Sequence, residues 1–180
     1  MAGPTFLEGP TVELRTIEEE DLDFIQRNLN DPAIRWNTEL TTPMNGVKRR
    51  QYFEEKLSGS EVHLLVCDDE TRVGYVNMTQ LDYKTGTGDL GVWIATEHQG
   101  NGYGTEALST LVTYAFEEHR LRRLVARCFE SNERTQSMLE AIGFTLEGQL
   151  RDAYYNCGDY VDELVYGLLR SEWDENHAEQ

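Results

Sequence analysis

Hydrophobic and polar residues alternate along this chain with two different periods, and the changes of period predict its secondary structure. Apolar residues at every second position predict strands, and apolar residues at three- and four-residue spacing predict helices. The predicted strands span 12–15, 62–67, 73–81, 89–95, 122–129 and 162–169. The predicted helices span 16–30, a segment that begins at 42–43, the segment that ends at 118, and a short segment that ends before Gly143.

The order of these elements predicts one α/β domain built on a central mixed sheet. Turns at 68–71 and 83–88 join neighbouring strands into an antiparallel meander. The helix between 89–95 and 122–129 is a crossover connection, so these two strands must be parallel. The 180 residues have the length of a single domain, and 171–180 is interpreted as an acidic, frayed tail.

A glycine-rich turn, QGNGYG at 99–104, connects the strand 89–95 to the helix that follows. Glycines at alternate positions let the backbone turn tightly and leave its N–H groups unshielded by any Cβ. The helix directs its first unpaired N–H groups and its positive dipole end at the same place. The turn is therefore predicted to bind an anion, most naturally a phosphate group.

Spacing separates the phosphate-binding loops that share such glycines. A Walker loop ends in Gly-Lys-Ser/Thr, whereas Gly104-Thr105-Glu106 has no lysine and ends in a carboxylate. A dinucleotide-binding loop has G-x-G-x-x-G spacing and an acid about 20 residues later, where this chain is apolar at 124–125. The pattern Gln/Arg-x-x-Gly-x-Gly/Ala fits. An ordinary glycine-rich turn between a strand and a helix also fits these six residues on their own.

The remainder of the chain favours the third pattern. Asn132, Thr135, Leu139 and Gly143-Phe144 are spaced as in the second signature of the GNAT superfamily of acyl-CoA N-acyltransferases, and the turn at 99–104 resembles its motif A. The resemblance extends to the RimJ/RimL branch and covers nearly the whole chain in the correct order. The segments that resemble this branch are 14–16, 20–22, 30–32, Trp36, 147–151, 158–162 and Tyr166.

The resemblance implies an acetyl-CoA-dependent N-acetyltransferase with about four helices around the sheet. In this family the two parallel strands splay apart at their C-terminal ends, the backbone of the turn holds the CoA pyrophosphate, and the pantetheine arm enters the gap between the strands. The residues that the resemblance assigns to acetyl-CoA are Val92, Trp93, Ile94, Gln99, Gly100, Asn101, Gly102, Tyr103, Gly104, Thr105, Asn132 and Thr135.

The catalytic groups are less apparent in the sequence. Many members of the family have a tyrosine seven residues after the signature asparagine as general acid, but this chain has Leu139 there. The candidates are Glu130 as general base, Tyr154 in a loop as proton donor, and Thr135 close to the thioester. Each of these residues also fits a purely structural role. The three free cysteines have no motif partner, so direct transfer in a ternary complex is expected rather than a covalent enzyme intermediate.

The acceptor is predicted to be a primary amine. The link between the first two helices, at 33–45, forms one wall of the acceptor site in the resembled family, which makes Trp36 and Asn37 candidates for substrate binding. An α-amino group, with a pKa near 8, needs less help to lose its proton than a lysine with a pKa near 10.4. The pattern thus favours a protein N-terminus or a small amine. A polyamine- or antibiotic-type acetyltransferase and a non-catalytic acyl-CoA sensor are the alternatives.

The charge of the chain narrows the choice of partners. The formal net charge is -17 at pH 7, which argues against nucleic-acid binding because phosphates repel such a surface. Lys48, Lys56 and Lys84 are the only lysines, and the acids are spread along the whole chain. This distribution favours a halophile-like solvated surface over a dedicated cationic partner, since the Debye length in molar salt is only about 3 Å.

Cysteine and histidine spacing predicts neither a disulfide framework nor a metal site. Cys67, Cys128 and Cys157 are far apart and form no Cys-x-x-Cys pair, and the histidines lack the spacing of metal ligands. No apolar run approaches the roughly 20 residues of a membrane span, and the N-terminus does not read as a signal peptide. A cytoplasmic protein is expected, either a monomer or a homodimer.

Overall fold

Eight strands form one sheet in the computed structural model, which describes residues 2–38, 42–57 and 59–178. The strands are β1 (Thr5–Glu8), β2 (Glu13–Thr16), β3 (Val62–Asp68), β4 (Thr71–Asp82), β5 (Thr87–Ile94), β6 (Arg123–Phe129), β7 (Thr145–Asn156) and β8 (Asp159–Leu169). Their order across the sheet is β1-β2-β3-β4-β5-β6-β8-β7. The β5–β6 pair is parallel and the other pairs are antiparallel, so the sheet is mixed, as the crossover argument predicts.

Among the described residues, six α-helices accompany the sheet, rather than the four or so expected from the sequence. They are α1 (Leu22–Asn30), α2 (Pro32–Arg35), α3 (Gly46–Lys56), α4 (Tyr103–Glu118), α5 (Glu133–Ile142) and α6 (Arg170–Ala178). The short α2 lies inside the link that was predicted to be irregular, and residues 39–41 of that link fall outside the described residues. Asp31 starts α2 because its carboxylate accepts a hydrogen bond from the N–H of Ala33 at 3.0 Å.

The start of α3 differs from the prediction. Pro43 suggested a first helical position, but α3 begins at Gly46. Asn45 supplies the cap, since its Oδ1 accepts hydrogen bonds from the N–H groups of Val47 and Lys48, each at 3.0 Å. The Asn45 side chain satisfies two of the first unpaired N–H groups of the helix. This cap determines where α3 starts more strongly than the fixed φ angle of Pro43 does.

Three elements were not foreseen. The strands β1 and β7 lie at the two edges of the sheet, and β7 is exposed along most of its length, so neither carries the alternation that a half-buried strand would show. The segment interpreted as a frayed tail is helical as far as Ala178, and positions 179–180 fall outside the described residues. Trp173 holds this helix in place, because its ring is 8% exposed and its centroid lies 5.6 Å from that of Phe116.

Two apolar layers cover the two faces of the sheet. The larger packs α4 and α5 onto one face, with Leu64 and Val66 of β3 pointing into it. The smaller packs α1 onto the other face, where Leu65 and Cys67 of the same strand contribute. Side chains alternate between the faces of a strand, so β3 is buried on both sides. The same alternation places Asp89, Gly91 and Trp93 of β5 on the α1 face.

Candidate active site

The turn between β5 and α4 has the backbone that its glycines predict. Gly100 and Gly102 adopt φ values of +88° and +84°, in the left-handed region that disfavours residues with a Cβ. A Cβ added at either position would have nothing within 4 Å. The space in front of this backbone is therefore open, and α4 begins immediately afterwards, at Tyr103. An exposed backbone turn at a helix N-terminus fits a phosphate group.

The third glycine of the turn, Gly104, is needed for close packing rather than for its backbone angle. Gly104 lies inside α4, and a Cβ there would come within 3.4 Å of Ile94 Cγ1 and of Met138 Sδ. Glycine thus allows α4 to approach both β5 and α5 closely. Next to it, the hydroxyl of Tyr103 donates a hydrogen bond to Asp68 at 2.5 Å, which ties the start of the helix to the end of β3.

Gln99 connects the turn to its surroundings through both ends of its amide. Its Nε2 donates to the carbonyl oxygen of Ile94 at 3.0 Å, and its Oε1 accepts from Arg134 Nη1 at 2.6 Å. Asn101 points away from the cleft and donates to the carbonyl oxygen of His98 at 3.1 Å. Arg134 belongs to the first turn of α5, so its guanidinium places a positive charge across the mouth of the cleft from the glycine turn.

The two parallel strands separate as the resemblance implies. Their pairing covers Thr87–Leu90 of β5 and positions 123–126 of β6. Both strands continue further, β5 to Ile94 and β6 to Phe129. The edge of β5 at Val92, Trp93 and Ile94 therefore faces a gap, and an extended arm of a ligand can pair with backbone groups there as a neighbouring strand would.

A second helix N-terminus opens into the same gap. Asn132 caps α5, since its Oδ1 accepts a hydrogen bond from the N–H of Thr135 at 3.2 Å. This cap uses the carbonyl end of the Asn132 amide. Asn132 and Thr135 both line the cleft. The glycine turn, the open strand edge and this helix start together form a channel that fits the phosphates and the long arm of acetyl-CoA.

The cleft continues past the splayed strands into a chamber on the α1 face of the sheet. The whole cleft, with the chamber included, has a volume of about 1400 Å³. The apolar wall of the chamber comes from α1, α2 and the segment before α3, and Asn37 lies beside this wall. The residues of this wall are Ile25, Leu29, Ala33, Ile34 and Met44.

Charged side chains from three strands meet at the sheet side of the chamber. Arg127 Nε lies 3.4 Å from Asp89 Oδ2, and Arg127 Nη1 lies 3.6 Å from Glu163 Oε2. The side chain of Glu163 is only 7% exposed. Burial raises the pKa of Asp89, and the nearby guanidinium of Arg127 opposes that rise. Two carboxyl groups therefore lie beside one guanidinium at this side of the chamber.

Aromatic and hydroxyl groups form the neighbouring part of the chamber. The hydroxyls of Tyr52 and Tyr75 are 2.6 Å apart, and Tyr75 OH lies 2.5 Å from Nδ1 of His63. The ring of Tyr75 stacks on Trp93 of β5 with centroids 5.6 Å apart. Burial raises the pKa of Tyr52 and of Tyr75, and it lowers the pKa of His63.

The residues proposed for catalysis occupy different environments. Tyr154 lines the cleft and its ring centroid lies 5.2 Å from that of Phe129, but it belongs to strand β7 rather than to a loop. Glu130 is exposed just beyond the end of β6, outside the cleft lining, and this position gives the general-base assignment no support.

The two candidates for substrate binding also lie in different environments. Trp36 is 49% exposed and does not line the cleft, although its carbonyl oxygen accepts a hydrogen bond from Asn156 Nδ2 at 2.7 Å. Asn37 lines the chamber, and its Nδ2 donates to the carbonyl oxygen of Ala33 at 2.9 Å. The backbone around Trp36 therefore contacts the β7–β8 hairpin, while the neighbouring side chain reaches the cleft.

Sequence reasoning missed most of the polar chamber. The missed residues that line it are Tyr52, Tyr75, Asp89, Arg127 and Glu163, and Arg134 at the mouth was missed as well. A weak signal existed, because Asp89, Arg127 and Glu163 each place a charge within a strand that is otherwise largely apolar. A charge on a buried strand requires a partner or a function.

Within 2–38, 42–57 and 59–178, no group of three or more histidine, cysteine, aspartate or glutamate side chains is arranged to hold a metal ion. Over the same residues, no helix is long and apolar enough to cross a membrane.

Comparisons with known proteins agree with this geometry. The acetyltransferase (GNAT) domain model matches residues 11–145. YdaF of Bacillus subtilis (strain 168), named provisionally as a ribosomal N-acetyltransferase, is 39% identical over 126 residues, which cover 70% of this chain and 67% of YdaF. The ribosomal-protein-serine acetyltransferase of Escherichia coli (strain K12) is 26% identical over 81% of this chain and 79% of its own length.

A solved structure shows the same fold. The crystal structure of spermidine N-acetyltransferase from Vibrio cholerae in complex with CoA and spermine superimposes with a TM-score of 0.86 at 22% identity, and the match covers 91% of this chain and 98% of that one. The region matched by the domain model contains the glycine turn, the splayed strands and the cap of α5. This chain therefore belongs to the GNAT family of acetyltransferases and uses acetyl-CoA as its acetyl donor.

Proposed function

We propose that the protein transfers the acetyl group of acetyl-CoA directly to a primary α-amine while both substrates are bound. The observation that carries this proposal is the continuity of the cleft. One cavity of about 1400 Å³ contains the glycine turn, the gap between β5 and β6, and the charged chamber beyond them. A cavity of this shape holds donor and acceptor together, and such positioning supplies about 7–11 kcal/mol of the barrier in well-oriented reactions.

The chemistry of the chamber supports an ammonium group as the incoming acceptor. Asp89 and Glu163 face the cavity with a single cation, Arg127, between them. An α-amine with a pKa near 8 loses its proton more easily than a lysine side chain. The apolar wall from α1 and α2 is suited to the remainder of an N-terminal residue.

For proton delivery to the departing thiolate we assign Tyr154. Its side chain lines the cleft beside Phe129, at the end of the splayed strand β6. Thr135 lies in the first turn of α5 and lines the same gap, which supports a contact between its hydroxyl and the arm of the donor. Glu130 receives no role in this scheme.

A small polyamine is the second candidate acceptor. It is favoured by the surplus of negative charge in the chamber, and by relatives such as the spermidine N(1)-acetyltransferase of Escherichia coli (strain K12), which is 22% identical over 93% of this chain. The names of YdaF and of the ribosomal-protein-serine acetyltransferase favour the protein N-terminus.

An acceptor panel decides between the two candidates. Release of CoA is measured with acetyl-CoA and three acceptors: a peptide with a free N-terminus, the same peptide with its N-terminus blocked and one internal lysine, and spermidine. The proposal expects turnover of the first peptide alone and initial-rate lines that intersect. Parallel lines, or turnover of spermidine without the peptide, contradict it. Binding of acetyl-CoA without turnover of any acceptor would instead indicate an acyl-CoA sensor.

We also propose that the acidic surface is an adaptation to salt. At a net charge of -17, the acidic side chains repel one another and an anionic donor at low ionic strength. Salt screens this repulsion at high ionic strength. Thermal stability and acetyl transfer are expected to rise together as potassium chloride increases. A fall in both would contradict the proposal and favour a cationic partner for the surface.

A further inference from the structure

A chain of hydrogen-bonded side chains connects the chamber to the protein surface. Tyr52 and Tyr75 line the cleft, and their hydroxyls lie 2.6 Å apart. Tyr75 OH lies 2.5 Å from His63 Nδ1, and His63 Nε2 lies 3.3 Å from Glu61 Oε2. His63 has a side chain that is 2% exposed, whereas that of Glu61 is 26% exposed. The chain thus begins at the acceptor site, passes through a buried imidazole and ends at a carboxylate in contact with solvent.

The donors and acceptors of these four side chains fix the direction of each hydrogen bond between them. Glu61 accepts only, so a neutral His63 carries its proton on Nε2 and leaves Nδ1 as an acceptor. Tyr75 must then donate its single hydroxyl proton to Nδ1. The oxygen of Tyr75 accepts from Asn77 Nδ2 at 3.4 Å and, by the same accounting, from the hydroxyl of Tyr52. Tyr52 lines the cleft, and after donating to Tyr75 its oxygen is left as an acceptor.

The ring of Tyr75 brings this series of hydrogen-bonded side chains beside strand β5. Tyr75 is 4% exposed and lies flat against Trp93, with 17° between the ring planes and 5.6 Å between the centroids. On its other side the ring stacks on His63 with centroids 6.0 Å apart. Because Trp93 belongs to the open edge of β5, the ring of Tyr75 packs against the strand along which the acetyl donor is proposed to fit.

We propose that Tyr52, Tyr75 and His63 form a proton relay that removes the proton of the acceptor amine from the chamber towards Glu61. The inference rests on the proposed function, because acetylation of an amine releases a proton. As the C–N bond forms and the C–S bond breaks, the amine proton passes to Tyr52, the Tyr52 proton to Tyr75, and the Tyr75 proton to His63 Nδ1. The imidazolium then gives its Nε2 proton to Glu61, and the thiolate takes up a separate proton.

The groups around His63 suit a proton acceptor. The titratable groups that face it are Glu61 just before its own strand, Lys56 at the end of α3, Tyr52 on α3 and Tyr75 on β4. Burial lowers the pKa of His63, while its hydrogen bond to Glu61 opposes that shift and Lys56 adds to it. The lowered pKa favours the neutral imidazole, which is the form that can accept a proton at Nδ1.

The first test is independent of turnover. Nitrogen-15 NMR of the histidine side chains, assigned with His63→Gln, reports which ring nitrogen carries the proton. The relay requires the neutral Nε2–H form at pH 7, and a shift of the Nδ1 resonance when Tyr75→Phe removes its donor. A His63 that is charged at pH 7, or that carries its proton on Nδ1, overturns the relay whether or not an acceptor has been found.

The second test measures kinetics. Tyr52→Phe and Tyr75→Phe each interrupt the chain, and each is expected to lower kcat roughly 100-fold, the lower end of proton-transfer catalysis. The KM for acetyl-CoA should change less than twofold, and His63→Gln should remove the acidic limb of the pH profile of kcat/KM. The control is Tyr160→Phe, at a tyrosine that is 62% exposed on the β7–β8 hairpin.

The outcomes separate the relay from the proposed function. Unchanged kcat and pH profiles in both Tyr52→Phe and Tyr75→Phe, with melting temperatures close to that of the wild type, reject the relay but leave the acetyltransferase intact. A wild type that acetylates no amine in the panel rejects the proposed function, and the NMR result then decides the relay alone.

Discussion

Arg134 Nη1 donates a hydrogen bond to Gln99 Oε1 at 2.6 Å, and this contact joins the first turn of α5 to the glycine turn before α4. Both side chains are exposed at the mouth of the cleft. In a chain with a net charge of -17, a cation at this point offsets the repulsion of an anionic donor.

Replacement of Arg134 by alanine should therefore weaken acetyl-CoA binding. We expect the dissociation constant from titration calorimetry to rise about tenfold, equivalent to about 1.4 kcal/mol, at low ionic strength. The difference should shrink in high salt because the lost interaction is electrostatic. Arg151→Ala, which removes an exposed arginine outside the cleft lining, is the matched control. An equal loss of affinity in both variants would contradict a specific role for Arg134.

Gly102→Ala tests the backbone turn. The position has a φ of +84°, and the added Cβ would point into the open space that the phosphates require. We expect acetyl-CoA affinity to fall at least tenfold. Gly158→Ala is the matched control, since Gly158 has a φ of +99°, equally open surroundings and a place in the turn between β7 and β8. Both variants should lose similar stability, and only Gly102→Ala should lose binding.

Glu106→Ala tests why a carboxylate follows the glycine turn. Glu106 Oε1 accepts hydrogen bonds from the N–H groups of Thr11 and Val12 at 2.5 and 2.8 Å, which fixes the loop between β1 and β2 onto α4. Loss of hydrogen bonds to a charged group should lower the free energy of unfolding by about 1.5–3 kcal/mol in urea denaturation. Glu117→Ala, on an exposed position of the same helix, should change it little. Equal effects would assign the loss to the helix rather than to the loop.

Asp89→Asn tests the buried charge of the chamber through its pH dependence. Burial raises the pKa of Asp89 above that of an unfolded aspartate, near 3.9. The folded state then binds more protons than the unfolded state, so stability falls as the pH rises from about 4 through the raised pKa. The asparagine variant lacks this fall, so its stability relative to the wild type should improve between about pH 4 and pH 7. Asp152→Asn, at an exposed position, should run parallel to the wild type; a parallel curve for Asp89→Asn would contradict the prediction.

The sequence determined the features whose signals are local. The alternation along 62–95 predicted the meander, because strand periodicity is a pattern of neighbouring residues. The helix between 89–95 and 122–129 predicted the parallel pair, because a crossover connection joins parallel strands. The glycines at 100 and 102 predicted a tight turn before a helix, and the structure has left-handed φ values at both positions. The two edge strands and α6 escaped prediction, since an exposed strand has no buried face to impose a pattern and α6 depends on one distant contact between Trp173 and Phe116.

Only the tertiary structure decided which polar residues share the chamber. Tyr52, His63 and Tyr75 come from a helix and two strands, and Asp89, Arg127 and Glu163 come from three more strands, so no short segment of sequence contains either group. The packing of α3 against β3 and β4 creates the hydroxyl chain, and the splay of β5 from β6 opens the gap beside it. The sequence alone predicted a donor site, because one turn and one helix start form most of it. The proposed acceptor site became visible only in the fold, because each of its walls comes from a different element.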